Sequence, residues 1–145
     1  MTLELSPSEK KQLSALKFAK IKDTYLREVI RVRIDGLLET PFVKDFISAR
    51  NLDWKVWDVN IFSFGTVNMH VDGTLKEGSR FRSLIVFLDG AGELAYINDD
   101  DKIQWQDMSK YSVSLFNDSK PHAFVNKNKT ICRAIVAEVE IQSGT

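Results

Sequence analysis

The two histidines of this 145-residue chain stand where they could bind one metal ion together with a carboxylate. His70 comes two residues before Asp72, and alternate residues of a strand share a face, so both side chains could reach one ion. His122 would have to come from a distant strand that the fold brings alongside. Two imidazoles and one carboxylate that leave coordination positions open are typical of non-haem Fe(II) oxygenases. The alternative is two unrelated histidines, with Asp72 capping the turn before Gly73.

A histidine that binds a metal usually donates the N–H of its second ring nitrogen to a hydrogen-bond acceptor. The sequence offers two amides for this purpose, Asn68 two residues before His70 and Asn126 four residues after His122. Either amide could orient an imidazole.

One arginine falls on the apolar face of a predicted strand. In the alternating run 130–141, Arg133 shares a face with Ile135, whereas Glu138 and Glu140 mark the other face. A charge on the core side needs a partner. That partner is either an internal acid or the carboxylate of a ligand, which a guanidinium can hold through two hydrogen bonds.

Arg80 and Arg82 alternate with apolar residues at the start of another predicted strand, so they share a face. They are either surface charges at a strand edge or the groups that hold an anionic substrate. Ser83 lies on the opposite face, where its hydroxyl could hydrogen-bond a cosubstrate oxygen or simply pack.

From residue 52 onward, short apolar runs are separated by turn residues, a pattern typical of β-strands. We predict eight strands, over Trp54–Phe64, Val67–Asp72, Phe81–Leu88, Glu93–Ile97, Lys102–Trp105, Tyr111–Phe116, Pro121–Val125 and Thr130–Ile141. Eight short strands after a helical segment predict a mostly β protein, built as a jelly roll or small double-sheet barrel and backed by N-terminal helices.

The first 51 residues are predicted to form a helical support segment of the same single domain, 1–145. Ser6 and Pro7 give a helix start signal, and a second short helix is expected after Pro41. Residues 25–38 are interpreted as helical, although the β-branched run from Val29 to Ile34 leaves a strand possible.

Composition narrows the classes of function. Lys+Arg and Asp+Glu balance at 20 each, which argues against nucleic acid as a partner. No apolar run reaches membrane-spanning length, and the first residues lack the pattern of a signal peptide. Cys132 is the single cysteine, so no intrachain disulfide can form, and we expect a cytoplasmic protein with a packed thiol. The oligomeric state does not follow from the sequence.

Several segments together resemble the Fe(II)/2-oxoglutarate-dependent dioxygenases, closest to their prolyl and aspartyl/asparaginyl hydroxylase-like branches. The resemblance covers roughly residues 54–141 and rests on the order of short motifs, namely His70-x-Asp72, the run from Arg80 to Asp89, Gly92 to Tyr96, Leu115 to Asn126 with His122, and Arg133. It implies a double-stranded β-helix, the cupin-like form of the jelly roll.

The resemblance also implies roles for individual residues. His70, Asp72 and His122 would hold Fe(II), and Arg133 would bind the distal carboxylate of 2-oxoglutarate. The interval from His122 to Arg133 is slightly longer than is usual in the family, so Lys127 or Lys129 is the alternative partner. The implied reaction uses O2 to hydroxylate an amino-acid, peptidyl or other small substrate, with release of succinate and CO2.

Two other functions remain open at the level of sequence. The first is a cupin-like metalloenzyme that does not use 2-oxoglutarate, in which Glu77 could serve as a further ligand. The second is a non-catalytic β-barrel binding module, in which both histidines are incidental.

Overall fold

The computed structural model describes residues 3–16, 30–32, 39–70, 80–127 and 131–142. These residues form two helices and nine strands: α1 Pro7–Ser14, β1 Ile30–Val32, α2 Glu39–Ala49, β2 Trp54–Phe64, β3 Val67–His70, β4 Phe81–Asp89, β5 Gly92–Ile97, β6 Ile103–Met108, β7 Val113–Phe116, β8 His122–Asn126 and β9 Cys132–Ile141. Neither helix of this described part is long and apolar enough to cross a membrane.

The strands form two antiparallel sheets, one in the order β1-β2-β9-β4-β7 and the other in the order β3-β8-β5-β6. Four of the pairings are nested: β2 pairs with β9, β3 with β8, β4 with β7 and β5 with β6. The segment from β2 to β9 is therefore one long hairpin, rolled so that its pairs fall alternately in the two sheets. This is the jelly roll predicted from the sequence.

The eight predicted strands correspond to β2 through β9, with β2 spanning the predicted residues. One prediction is wrong within the N-terminal segment. Ile30–Val32 forms the short strand β1, paired with Ile61–Ser63 of β2, where we predicted a helix. Its three residues are the centre of the β-branched run, and pairing with the edge of the sheet outweighs the weak helical periodicity.

The five-stranded sheet is covered on both faces. On one face, Ile61, Leu84 and Ile135 belong to a core shared with Phe42 and Phe46 of α2. On the other face, Phe87 and Ala134 pack in a second core with residues of the four-stranded sheet. The helices thus close the outside of one sheet, and the space between the two sheets is left for a cavity.

An ion pair with ideal fork geometry joins the start of α1 to the end of α2. Ser6 caps α1, and Glu9 completes the capping box. The two guanidinium NH2 groups of Arg50 donate to the two carboxylate oxygens of Glu9 at 2.7 Å each, and the guanidinium carbon lies 3.6 Å from the centre of the Phe46 ring. The hydrogen bonds from Arg50 hold the pKa of the Glu9 carboxyl below its ordinary value of 4.5.

Glu9→Gln should lower the free energy of unfolding by about 1 to 3 kcal/mol at neutral pH, because it weakens charge-assisted hydrogen bonds. Since the pKa of Glu9 is lowered in the folded state, its contribution is present above pH 4.5 and is lost as pH falls through the lowered value. Denaturant unfolding at a series of pH values checks this, and the gap between wild type and variant should close in acid.

Asp101→Asn is the matched control. Asp101 also pairs with a cation, Lys120 at 2.8 Å, but its side chain is 81% exposed, so its loss should change the unfolding midpoint little. An equal effect of both variants, or a gap that widens in acid, would contradict the role assigned to Glu9.

Candidate metal centre

His70 and His122 are brought together by the pairing of β3 with β8. They are register partners across the two strands, and their ring centres lie 4.2 Å apart with planes inclined at 60°. His122 is 6% exposed, whereas His70 is exposed at the edge of the sheet. Asp72 lies outside the described residues. Within the described part of the chain, no cluster of three histidine, cysteine or acidic side chains is present.

A bulge aims His70. Three steps along β3, from 67 to 70, match two steps along β8, from 124 to 122. In a regular strand Val67 and His70 would point to opposite faces, but both line the same cavity. The extra residue therefore turns the imidazole inward, as bulges near functional sites commonly do. Simple alternation does not describe this part of β3.

The orientation of His122 is fixed by a backbone carbonyl. Its Nδ1 lies 2.9 Å from the carbonyl oxygen of Lys120. A carbonyl only accepts hydrogen bonds, so Nδ1 carries the proton in the neutral ring and Nε2 keeps its lone pair. This arrangement suits a metal ligand. For Nδ1 of His122 the partner is therefore a backbone carbonyl and not one of the two amides considered from the sequence. The amide nitrogen of Asn126 donates to Cys132 Sγ at 3.5 Å, and the side chain of Asn68 lies outside the described residues.

The two imidazoles stand at a cavity of about 290 Å³ between the sheets. Its wall is made largely of aromatic rings, Phe62, Phe64, Phe87, Phe116 and Phe124, together with aliphatic side chains. Among the described residues of the wall, the only side chains that carry nitrogen or oxygen are His70, Ser83 and His122. A ligand in this cavity would meet an apolar surface with polar groups at a few points.

Phe116 packs between the imidazole of His122 and Tyr96. Its ring centre lies 4.9 Å from the His122 ring and 5.4 Å from the Tyr96 ring, with which it is stacked at 22°. Tyr96 is also the register partner of His122 across β5 and β8. These contacts restrict the rotation of His122.

The second polar feature of the cavity is a buried hydroxyl, which is hydrogen-bonded to a buried carboxylate. Ser83 Oγ donates to Asp118 Oδ2 at 2.9 Å, and the two residues are 4% and 3% exposed. The position of Ser83 on the face opposite Arg82 follows the sequence prediction. Asp118 was missed, because Asn117-Asp118 was interpreted only as turn punctuation. The residues around Asp118 are polar, so the local sequence gives no signal that this acid is buried.

Arg133 does not line the cavity. It alternates along β9 with Cys132 and Ala134, and Ala134 is the residue that faces the cavity. The guanidinium of Arg133 instead pairs with Asp89 at 3.2 Å. This is the ion pair with an acid that the sequence left open. Glu138 and Glu140 on the other face are half-buried, but Cys132 and Ala134 on the same face are fully buried, so that face is not solvated along its whole length as predicted.

The other predicted anion-binding groups also lie away from the cavity wall. Arg80 donates to the carbonyl of Gln142, and Arg82 lies on the face of β4 opposite the cavity residue Ser83. Lys127 pairs with Glu93 at 2.8 Å on the exposed side of the four-stranded sheet. Glu77 and Lys129 lie outside the described residues.

Cys132 occupies the inner position beside Arg133. It is completely buried, and burial raises the pKa of its thiol to about 11. The thiol is therefore protonated at neutral pH and behaves as a packing group, as the sequence suggested.

No protein-family model and no curated protein sequence matches the chain, but solved structures share its fold. AviO1 from Streptomyces viridochromogenes Tue57 aligns with a TM-score of 0.60 and 14% identity, over 99% of this chain and 89% of that one. An oxidoreductase of the 2OG-Fe(II) oxygenase family from Burkholderia pseudomallei aligns with a TM-score of 0.51 and 13% identity, over 94% and 77%.

A non-haem monooxygenase, solved as the ThoJ–Ni complex, aligns with a TM-score of 0.51 and 16% identity, over 74% of this chain and 53% of that one. At these identities the likeness concerns the fold alone. It agrees with the jelly-roll core expected from the sequence resemblance and does not extend to the prolyl or aspartyl/asparaginyl hydroxylase branch.

The pair Arg133–Asp89 should contribute to stability and not to metal binding. In a double-mutant cycle of Arg133→Met and Asp89→Asn, we expect a coupling energy of about 0.5 to 1 kcal/mol, since Asp89 is 43% exposed. Denaturant unfolding measures the coupling, and titration with Mn(II) compares the affinities. Arg80→Met, which removes a surface guanidinium, is the control. A loss of metal affinity in Arg133→Met would contradict this assignment.

Proposed function

We propose that this protein is a non-haem metal-dependent oxygenase whose ion is held by His70, His122 and Asp72 at the mouth of the apolar cavity. The observation that carries the proposal is the pairing of the two histidines, 4.2 Å apart between ring centres, with the Nδ1 proton of His122 committed to a carbonyl. Asp72 enters from the sequence and completes a ligand set typical of non-haem iron.

The donor set fits a divalent first-row ion. Neutral imidazole nitrogen binds iron, nickel, copper and zinc, and one carboxylate favours iron or manganese over softer alternatives. Bound Fe(II) would supply activation of O2 at its open positions. The protein orients the ligands through Lys120 and Phe116 and excludes water from the cavity behind them. The fold shared with an oxidoreductase of the 2OG-Fe(II) oxygenase family supports this class of chemistry.

Two versions of this function differ in the cosubstrate. In the first, 2-oxoglutarate binds the metal, the substrate is hydroxylated, and succinate and CO2 are released, as the sequence resemblance implies. In the second, the enzyme uses O2 without 2-oxoglutarate. The second version is favoured by one observation: Arg133 pairs with Asp89, and the neighbouring inner position on β9 is Cys132, an uncharged thiol. The distal carboxylate of 2-oxoglutarate would have to be met by Lys129.

Metal binding tests the common part of the proposal. With Fe(II) or Mn(II) under anaerobic conditions at about 100 times its Kd, we expect about 2.7 kcal/mol of added stability and a rise in Tm of several degrees. His70→Ala and His122→Ala should each abolish the shift. Ile85→Ala also removes side-chain volume from the cavity wall but no ligand, and it should keep the shift. A metal-dependent rise in Tm that is retained in both histidine variants would contradict the proposed metal site.

Addition of 2-oxoglutarate to the metal-saturated protein separates the two versions. We expect no further rise in Tm, because the described cavity wall offers no cation to the distal carboxylate. A further rise that is lost in Lys129→Met but kept in Arg133→Met would establish the first version with Lys129 as the partner. A protein without any metal-dependent shift would instead be a non-catalytic binding module.

A further inference from the structure

We infer that the cavity accepts a small, uncharged, mainly aromatic molecule, and that Ser83 recognises a hydrogen-bond donor on it. The identification of this molecule as the substrate rests on the proposed function. Its binding in the cavity does not, since it depends on side chains other than the two histidines.

The size and surface of the cavity set the first limit on the ligand. A dry apolar cavity of about 150 Å³ can hold benzene, so a volume of about 290 Å³ suits roughly two fused rings. Phe64 meets Phe87 and Phe124 edge to face, at ring-centre distances of 5.8 and 5.2 Å. Aromatic rings that line a cavity in this arrangement favour an aromatic ligand, which they can contact edge to face or in an offset stack.

The charge of the ligand follows from the same wall. A carboxylate or phosphate taken into an apolar site needs a cation or several donors, and its desolvation is otherwise prohibitive. The arginines that we had considered for an anionic amino-acid or peptide substrate, Arg80 and Arg82, do not belong to the wall. An uncharged molecule is therefore the class that fits the described cavity.

The hydrogen bond between Ser83 and Asp118 sets the polarity of recognition. A hydroxyl has one proton, and Ser83 donates it to Asp118 Oδ2 at 2.9 Å. The lone pairs of Ser83 Oγ remain as acceptors at the cavity wall. Ser83 therefore favours a ligand that presents an O–H or N–H over one that presents only an acceptor.

The position of Ser83 relates this contact to the metal centre. Ser83 is the register partner of Phe116 across β4 and β7, and the Phe116 ring lies 4.9 Å from the ring of His122. Ser83 and the imidazole of His122 are thus both neighbours of Phe116. A ligand anchored at Ser83 would have its apolar body within the cavity on which both histidines border.

Four probes of similar shape test the inference on metal-free protein at pH 7, with isothermal titration calorimetry as the readout. These are 2-naphthol, 2-methoxynaphthalene, 2-naphthoate and 2-naphthylmethylamine. We expect 2-naphthol to bind about tenfold more tightly than 2-methoxynaphthalene, which lacks the donor. The naphthoate should bind at least about 100-fold more weakly than the naphthol. If the naphthoate or the ammonium probe binds most tightly, the cavity selects a charged ligand and the inference is wrong.

Ser83→Ala tests the role of the hydroxyl. It should reduce the preference for 2-naphthol over 2-methoxynaphthalene to about one and leave the affinity for the latter unchanged. Ser114→Ala is the matched control, because Ser114 is a buried serine on the neighbouring strand that does not border this cavity. A preference that survives in Ser83→Ala, or falls equally in Ser114→Ala, would overturn the assignment.

The location of the probe is checked without relying on any variant. Methyl NMR signals of Ile85 and Val136 in the cavity wall should shift on addition of 2-naphthol, whereas those of Ile103 and Val125, exposed on the outside, should not. Shifts confined to the outside would contradict the inference. Metal binding without naphthol binding would remove this inference alone, and naphthol binding without metal binding would remove the proposed function alone.

Discussion

The antiparallel pairing of β3 with β8 is the constraint on which the candidate site depends. His70 and His122 are far apart in the chain and meet only because the rolled hairpin makes these two strands neighbours. Register then decides which faces the side chains occupy, and a slip of one residue would turn an imidazole away from the cavity. The bulge between Val67 and His70 places both side chains on the cavity side of β3. The site is thus a property of the pairing and the bulge together.

Burial of the five-stranded sheet on both faces explains the position of the charged side chains of Arg133 and Asp89. A cation in the strand β9 can lie on either of two apolar faces, and each placement requires a partner. Arg133 lies on the helix side and pairs with Asp89 near the sheet end, while Cys132 and Ala134 face the second sheet. The inner face therefore stays uncharged at this position. The apolar character of the cavity follows from this placement as much as from its aromatic rings.

The same double burial explains which parts of the structure could be predicted from the sequence. The strands β2 to β9 were predictable because Asp-Gly and Asn-Asp turns separate them, and their number indicated the jelly roll. The sequence could not predict which face of β9 borders the cavity and which carries Arg133. Alternation distinguishes a solvent-exposed face from a buried one, but both faces of β9 are covered along its centre. The bulge before His70 and the burial of Asp118 depend on tertiary contacts that leave no local pattern. Strand β1 was interpreted as helical because the apolar residues of this segment occur at mixed spacings, which do not distinguish a strand from a helix.

The distribution of polar groups suggests a division of labour between the mouth and the interior of the cavity. In the proposed metal centre, two neutral imidazoles and one carboxylate would leave a divalent ion with net positive charge. Because His70 is exposed, that charge would lie at the entrance and in contact with water. Elsewhere in the aromatic wall, the hydroxyl of Ser83 donates its proton to the buried carboxylate of Asp118. An uncharged ligand that donates to Ser83 and packs its rings against the aromatic wall would place no charge in the apolar interior.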